Sequence, residues 1–375
     1  MSGRNSIRIF STLVALALTT VMPTLTFVPT SQAQTTQETE GSSSRPAEEL
    51  EARLDLSESY DKADIEADPY APDDREQTTT TASAASTALW PIQPMPLPGG
   101  LDHVANGVGT RNAGFGTIRL RGVPPGSVAV RAYLYWGTIQ NAPPATQTIA
   151  FNGTPVKGRL IGTGQTCWCG GVFAAYRASV IALITPGINN DYRVSQMPSA
   201  ITNGSDPWES GCKLPLSQGA SLVVLYANAS VPPAARVYIN EGTAFFAVGG
   251  INTFNPLPVP LPFHTQLKHT RLGGDGQVGF STFSNLPITN ERTFVGAWPF
   301  GPVTQIKGPG SPFNGDSDWN GDDGVPLNQL WDTHTDRFNI DRAKPMIPFG
   351  AANYLVRYTA NGDCIYAVAH VLGTR

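Results

Sequence analysis

The stretch that decides the fold is VAVRAYLYWGTI, residues 128–139. Its side chains alternate between the two faces of an extended chain. One face carries Val128, Val130, Ala132, Leu134 and Trp136, and the other carries Ala129, Arg131, Tyr133 and Tyr135. A period of two in a run of aromatic and β-branched residues predicts a β-strand. The turn formers Pro124-Pro125-Gly126 precede it, so we predict a central strand of a sheet.

Other strands are predicted around this one. Residues 146–151 and 155–161 flank Asn152-Gly153, a pair typical of a two-residue β-hairpin turn. Residues 176–184 fit either a strand or a short helix. Further strands are predicted at residues 220–226, 235–240, 243–248, 277–283, 294–298 and 330–338. Near the end of the chain, residues 352–359 and 364–372 are predicted to pair antiparallel across Asn361-Gly362.

These patterns predict an all-β fold. Many short strands separated by turns rich in glycine, proline and asparagine are typical of an antiparallel sandwich or jelly roll. The β region is predicted to span residues 96–375, either as one sandwich or as two packed sandwiches with halves 96–250 and 251–375. No long helical period occurs in the sequence, which excludes α/β barrels and doubly wound sheets.

The N-terminus predicts export. Arg4 and Arg8 precede an apolar run at residues 9–22. Further on, Ser31-Gln32-Ala33 provides the small residues, Ser31 and Ala33, that a signal-peptide cleavage site requires. This pattern is typical of a secretory signal peptide, residues 1–33. A secreted or cell-surface protein is therefore expected. No later apolar stretch approaches the roughly 18 residues that a membrane-spanning helix needs, so we expect no transmembrane anchor.

An acidic segment follows the predicted signal peptide. Residues 38–76 hold fourteen acidic and four basic residues, whereas residues 77–375 carry a net charge of +4. Low apolar content and high charge predict disorder over residues 34–95, together with the Thr/Ser/Ala run at residues 78–87. The segment could be a spacer, a propeptide or an electrostatic cover for the basic domain. The positive charges form no Lys/Arg cluster, so no nucleic-acid partner is expected.

Two sets of motifs resemble a known kind of domain. The first set is AYLYW at 132–136, FNGTPV at 151–156, YRASV at 176–180 and GASLVV at 219–224. The second is LWDTHT at 330–335 and DCIY at 363–366. Together they resemble a domain of unknown function in exported bacterial and archaeal surface proteins, over residues 101–372. The resemblance implies a surface or secreted context and no catalytic activity. The first half is also similar to galactose-binding-type jelly rolls.

One loop is a candidate calcium site. The sequence NGDSDWNGDDG, residues 314–324, places oxygen ligands at alternate positions, at Asp316, Asp318, Asn320 and Asp322. Alternating oxygen donors with Gly321 at the sharp turn resemble an EF-type loop. The expected bidentate glutamate is Leu327 here. The alternative is a turn that caps itself by side-chain hydrogen bonds. A bound calcium ion would have a structural role.

The four cysteines allow three disulfide pairings. Cys167 and Cys169 are too close in sequence to pair without strain, so we expect one of them to bond Cys212. A Cys-x-Cys metal site is the alternative. In an exported protein disulfides persist, which favours the bond.

Catalytic motifs give little support for an enzyme. The chain contains no Gly-x-Ser-x-Gly, HExxH or phosphate-binding loop. His334 alternates with Asp332 and Asp336, which would fit a general base, a metal ligand or a hydrogen-bonded edge-strand histidine. The other candidates are scattered: His264, His269 and His370, and the glutamates Glu209, Glu241 and Glu291. Nothing in their spacing selects a catalytic pair.

Tryptophans in loops suggest contact with a ligand. Trp136 is expected in the core. Four others lie in polar or Gly/Pro-rich segments: Trp168, Trp208, Trp298 and Trp319. An exposed indole can stack on a sugar ring or on a partner, and a loop tryptophan can also fold back on its own protein. We therefore expect a secreted, non-enzymatic β-sandwich that binds carbohydrate or another extracellular polymer. The alternative is a secreted hydrolase with an acidic propeptide.

Overall fold

The structure of the protein is a computed structural model. It describes residues 88–92, 97, 99–166, 170–205, 212–246, 250–257, 266–277, 279–280, 287–288, 292–298, 303–307, 331–339, 353–360 and 364–375. All of them belong to one compact unit, Ser44–Arg375. In this part of the chain every regular element is a strand except the 3-10 turn Ile181–Leu183, and every strand pair is antiparallel. The predicted all-β antiparallel fold is confirmed.

The larger sheet has eight strands. They are β2 Leu101–Gly109, β3 Gly116–Leu120, β4 Val128–Gln140, β5 Thr146–Phe151, β6 Thr154–Gly164, β7 Val172–Ser179, β8 Asn190–Ser195 and β9 Leu216–Ala227. Their order is β2-β9-β4-β7-β6-β5-β8-β3. The sheet curls until its two edge strands approach each other, and the amide Nδ2 of Asn106 on β2 donates to the carbonyl of Arg119 on β3 at 2.9 Å. The two edge strands, β2 and β3, do not pair through their main chains, and we call the gap between them the seam. The side chain of Asn106 bridges this seam.

A second sheet of five strands has the order β1-β10-β19-β12-β17. Its strands are β1 Ala88–Pro91, β10 Arg236–Phe246, β12 Gln266–Gln277, β17 Trp331–Asn339 and β19 Cys364–Thr374. Since β10 pairs with β19, this sheet joins residues from both of the predicted halves. The remaining described strands form a four-stranded sheet and a short pair. They are β11 Gly250–Leu257, β13 Gly279–Phe280, β14 Pro287–Ile288, β15 Arg292–Trp298, β16 Val303–Lys307 and β18 Asn353–Ala360.

Two apolar cores hold these layers together. One fills the inside of the curled sheet and includes Leu134, Trp136 and Phe151. The other lies between the outer face of that sheet and the five-stranded sheet, and includes Tyr135 and Trp331. Both faces of β4 are therefore buried, which explains why this strand is apolar on both sides. Trp136 is fully buried, as predicted.

The predicted hairpin is confirmed. β5 pairs with β6, and Asn152 and Gly153 have positive φ angles of 49° and 80°. These angles suit the tight turn that Asn-Gly favours. The ambiguous residues 176–184 contain both the end of β7 and the 3-10 turn.

Three sequence predictions need correction. A register shift between Ala129 and Arg131 moves Val130 to the face of Tyr133, so the predicted alternation holds only beyond the shift. Residues 235–240 and 243–248 were predicted as two strands, but β10 continues through a register shift after Glu241. The terminal pair is wrong: β18 pairs with β11 and β15, and β19 pairs with β10 and β12. Each therefore joins a different sheet. A turn motif between two consecutive strands does not reveal whether the strands belong to the same sheet.

A glycine determines how Trp331 fits between the sheets. A Cβ at Gly219 on β9 would lie 2.1 Å from Cγ of Trp331, so only glycine leaves room for the indole. The indole Nε1 donates to Oγ of Ser221 at 2.9 Å. This contact fixes β17 against β9.

Among the elements described, the structure contains no helix of the length and apolarity that a membrane span requires.

Candidate binding cleft

Two adjoining cavities open beside the free edge of β2. Their volumes are about 260 Å³ and about 270 Å³. Both are lined by Gly122, Lys268 and Arg337. The first also includes Asp102, Tyr226 and Arg375, and the second includes Ala105, Arg121 and Thr335. We call the combined space the β2 cleft. It forms where the loop after β3, the start of β12 and the end of β17 meet the edge of β2.

Positive charge dominates the lining of the β2 cleft. Four cationic side chains face one carboxylate: Arg121, Lys268, Arg337 and Arg375 against Asp102. Arg121 pairs with the exposed Asp191 behind it. Arg337 is exposed, and within the described part of the chain no hydrogen bond or ion pair occupies its guanidinium. The cleft therefore presents a basic surface to any ligand that enters it.

Asp102 anchors the base of the cleft. Its carboxylate is paired with Lys268 at 3.3 Å and with Arg375, and it accepts a hydrogen bond from Tyr226 Oη at 3.1 Å. Burial by itself would raise the pKa of Asp102, but the charges of Lys268 and Arg375 outweigh burial and hold that pKa well below its usual range. Burial and the Asp102 charge raise the pKa of Tyr226 above its usual range. Asp102 is thus a fixed negative charge that orients two of the cations.

Lys268 is strongly desolvated in the same place. Its Nζ donates to the main-chain carbonyl of His103 as well as to Asp102. Burial lowers the pKa of Lys268 to about 8, and the nearby Arg337 adds to this effect while Asp102 opposes it. A lysine with such a pKa changes its charge under mildly basic conditions. The net charge of the cleft therefore falls as the pH rises through that value.

Behind the cleft a chain of hydroxyl and imidazole groups crosses between the sheets. His103 Nε2 is 2.8 Å from Oγ1 of Thr270, which is 2.8 Å from Oγ1 of Thr335. His103 Nδ1 lies 3.8 Å from the Asp102 carboxylate. Burial lowers the pKa of His103 well below its usual value, so the imidazole is neutral. His103 and Thr270 have no exposed surface, so neither the imidazole nor the Thr270 hydroxyl can reach a substrate in the cleft.

The second buried carboxylate, Glu241, lies in a separate network. Its oxygens accept hydrogen bonds from Tyr135 Oη and Arg159 Nη2, each at 2.9 Å. Arg177 pairs with it at 3.1 Å and also stacks over the ring of Tyr133. Burial and the Glu241 charge raise the pKa of Tyr135 well above its usual value. This arrangement neutralises a charge between the sheets, and none of its members lines the β2 cleft.

Three of the predicted histidines, His269, His334 and His370, lie on the face of the five-stranded sheet that points away from the β2 cleft, because they alternate with the residues that line it. His269 and His370 are buried on neighbouring strands, with ring centroids 5.1 Å apart. Burial lowers the pKa of both well below the usual value. His334 is buried on β17, whose strand form places it between Asp332 and Asp336 as predicted. Among the residues with described side chains, no three acidic, histidine or cysteine groups are placed to hold a metal ion.

Most of the other predicted site residues lie outside the described residues. These are Asp316, Asp318, Asn320, Asp322, Trp168, Trp208, Trp319, Cys167, Cys169, His264, Glu209 and Glu291. Trp298 belongs to β15, and only its backbone is described. Cys212 is exposed and disulfide-bonded. Its bond to Cys167 or Cys169 stays a prediction.

Sequence reasoning missed the β2 cleft. Its five charged residues are spread along the chain, with Asp102 and Arg375 at the two extremes. None of them belongs to a motif. The only related signal in the sequence is the small net positive charge of residues 77–375, and this charge does not indicate where a basic cleft would lie.

No protein-family model matches this chain, and no curated protein matches it. The resemblance to exported surface-protein domains therefore stays a prediction.

Proposed function

We propose that the protein is a secreted or cell-surface binding module that binds an acidic extracellular polymer in the β2 cleft. The observation that carries the proposal is the set of four cationic side chains around one buried carboxylate. Cations at the mouth of a partly desolvated cleft attract anions and favour negatively charged groups within it. A polymer that carries carboxylates at regular intervals matches this surface.

Binding fits the cleft better than hydrolysis does. The two groups that could act as acid and base, Asp102 and Lys268, are paired with each other. The hydroxyl beside His103 belongs to the fully buried Thr270. A hydrolase needs a nucleophile or a general base that reaches the substrate. The hydrolase alternative therefore gains no support from the described residues.

Two features of the sequence complete the proposal. The signal-peptide pattern of residues 1–33 supports export, where extracellular polymers are found. The loop with Asp316 and Asp318 would bind calcium as a structural ion. Extracellular calcium is plentiful enough for a weak site of this kind.

The proposal can be tested by binding of oligogalacturonate, a carboxylated polysaccharide, to the mature chain in titration calorimetry. We expect binding that weakens strongly from 50 mM to 500 mM salt, because screening weakens exposed charge pairs. Uncharged dextran of equal length should not bind. Arg337→Gln should lower the affinity about tenfold, because it removes charge-assisted hydrogen bonds.

The matched control is Arg193→Gln. Arg193 is also exposed, but it stacks over Phe115 outside the β2 cleft. This variant should bind like the wild type. Absence of binding to any carboxylated polymer, or equal loss in both variants, would refute the cleft as the site.

A further inference from the structure

Two cations of the β2 cleft lie directly opposite each other. In the register of β12 and β17, Lys268 faces Arg337. Like charges on opposed residues of neighbouring strands destabilise a sheet. Asp102 compensates Lys268, whereas Arg337 is exposed and pairs with no carboxylate in the described part of the chain. An anion that enters the cleft and approaches Arg337 would relieve this repulsion.

The β2 cleft also holds most of the positive excess of residues 77–375. Its lining contains four cationic side chains and one carboxylate, a net charge of +3. Residues 77–375 as a whole carry +4. The acidic segment, residues 38–76, belongs to the same chain and holds fourteen acidic and four basic residues. The cleft and the acidic segment are therefore complementary in charge.

One stretch of the acidic segment matches the cleft best. Residues 63–74 contain five acidic side chains and no basic one. Every other stretch of the segment between basic residues holds three acidic side chains or fewer. Asp64, Glu66 and Asp68 alternate, so in an extended conformation they would share one face at a spacing of about 7 Å. Such a row of carboxylates can approach several cations of the cleft at once.

The acidic stretch is close enough along the chain to reach the cleft. Ala88 begins β1, and the register through β10 and β19 places it about four residues and three strands from Lys268 on β12. At about 3.3 Å per residue and about 4.8 Å per strand, these two residues are about 20 Å apart. Asp68 precedes Ala88 by 20 residues. A chain of that length can span up to about 65 Å, so the distance to the cleft is easily covered.

We infer that residues 63–74 bind in the β2 cleft of their own chain and compete there with the acidic polymer. This inference rests on the proposed function and assigns a regulator to its site. The acidic segment is then an electrostatic cover for one defined site rather than a spacer. A ligand tethered in this way has an effective concentration of about 1 mM. With a Kd of about 0.25 mM it would fill the cleft about four-fifths of the time and weaken polymer binding about fivefold.

The first test neutralises the row of alternating acids on the full mature chain. The variant, which we call the neutralised chain, carries Asp64→Asn, Glu66→Gln and Asp68→Asn. We expect it to bind oligogalacturonate about fivefold more tightly than the wild type does, in titration calorimetry at 50 mM salt. Equal affinities would refute the inference and leave the proposed function intact. Failure of every chain to bind a carboxylated polymer would refute the proposed function itself.

The matched control removes three acids from another part of the acidic segment. It carries Glu48→Gln, Glu49→Gln and Glu51→Gln, so its net charge equals that of the neutralised chain. This control should bind oligogalacturonate like the wild type, because the acids of residues 63–74 remain. An equal gain in both variants would show that overall charge governs polymer binding, and it would overturn the assignment of residues 63–74 to the cleft.

A peptide added in trans tests the contact without the polymer. The peptide has the sequence of residues 63–74 with blocked ends, and its binding is followed by NMR. We expect a Kd of about 0.25 mM for the neutralised chain and about fivefold weaker binding to the wild type, whose own segment competes. On the neutralised chain, Arg337→Gln should weaken peptide binding about tenfold, and Arg193→Gln should leave it unchanged. Peptide binding that does not depend on Arg337 would overturn the inference, whatever the polymer does.

Competition has one further signature. The tenfold loss of polymer affinity expected for Arg337→Gln applies to an open cleft. In the wild type the same substitution also weakens binding of the segment, so the measured loss should be only about threefold, whereas the neutralised chain should show the full loss. Equal losses in the two chains would show that the segment and the polymer do not share a site, and they would overturn the inference.

Discussion

Lys268 Nζ lies 3.3 Å from Oδ1 of Asp102, and the two side chains expose only 13% and 6% of their surface. Each charge would be unfavourable alone at such a depth, because burial removes its hydration. The pair is stable because the two charges compensate each other and Arg375 adds a second cation. The β2 cleft is thus built around a buried ion pair. Removing one partner of this pair should lower the stability of the protein more than removing one partner of an exposed pair.

Asp102→Asn should destabilise the protein by about 3 kcal/mol at neutral pH, because it leaves Lys268 buried without its counter-charge. Urea unfolding at pH 7 measures the loss. The control is Asp191→Asn, which breaks the exposed pair with Arg121, where the side chains expose 50% and 41%. Exposed pairs contribute at most about 1 kcal/mol. Equal losses in the two variants would contradict the structural role of Asp102.

The same variant has a predicted pH dependence. The folded state holds the pKa of Asp102 far below its usual value of 3.8. Its stabilisation is therefore fully present above that usual value and is lost as the pH falls toward the folded pKa. The stability difference between wild type and Asp102→Asn should narrow steadily below about pH 4. If the stability difference between the two proteins stayed constant from pH 7 to pH 2, the ion pairs of Asp102 would not stabilise the folded state.

A second pH dependence, at high pH, is expected from Lys268. Burial lowers its pKa from 10.5 to about 8. Between these values the unfolded chain binds a proton that the folded chain does not, so folding becomes more favourable as the pH rises. Relative to Lys268→Met, the wild type should gain up to about 3 kcal/mol from pH 8 to pH 10.5. Urea unfolding at several pH values measures this slope, and parallel curves for the two proteins would refute it.

Gly219→Ala tests the packing of the two sheets. Its Cβ would lie 2.1 Å from Cγ of Trp331, an atom that cannot move without shifting β17. We expect a loss of about 3 kcal/mol in urea unfolding, as for an overpacked core. Gly164→Ala is the control, since its Cβ would meet Phe245 at an ordinary 3.7 Å. Similar stability of the two variants would mean that Trp331 is placed differently.

Several strands of the larger sheet, among them β4, β5 and β6, could be predicted because their signals are local. The alternation of residues 132–136 and the Asn152-Gly153 turn each depend on neighbouring residues. The pairing of β18 and β19 could not be predicted, because each strand finds its partners far away in sequence. The strands β2 and β12 were missed as well. Both carry buried polar residues, such as His103 and Thr270, in place of a clean apolar alternation.

The β2 cleft could not be predicted for a related reason. Asp102 and Arg375 are brought together only when β19 ends beside β2. No spacing rule connects charges so far apart.

Calcium should stabilise the protein if residues 314–324 form the predicted site. Extracellular modules bind calcium with Kd values of about 10⁻⁴ to 10⁻³ M. At a hundred times Kd, binding to the folded state adds about 2.7 kcal/mol. We therefore expect EGTA to lower the melting temperature and excess calcium to restore it. Asp318→Ala should abolish this response, whereas Asp191→Asn should retain it. A melting curve unaffected by both reagents would favour the self-capped turn.

Asn106 provides a direct test of the seam between β2 and β3. Its amide donates to the carbonyl of Arg119 at 2.9 Å and accepts from the N–H of Gly107 at 2.8 Å, and the residue is fully buried. Asn106→Ala would remove both of these hydrogen bonds from a buried place, so we expect a loss of about 2 kcal/mol or more in urea unfolding.

The control for the seam is Asn190→Ala, which removes a bond of 3.2 Å to Thr185 in a half-buried place away from β2. It should cost less than about 1 kcal/mol. Hydrogen exchange separates a local effect from a global one: in Asn106→Ala, the amide of Gly107 should lose protection first, because its acceptor is gone. Unchanged protection at Gly107 would show that Asn106 does not close the seam.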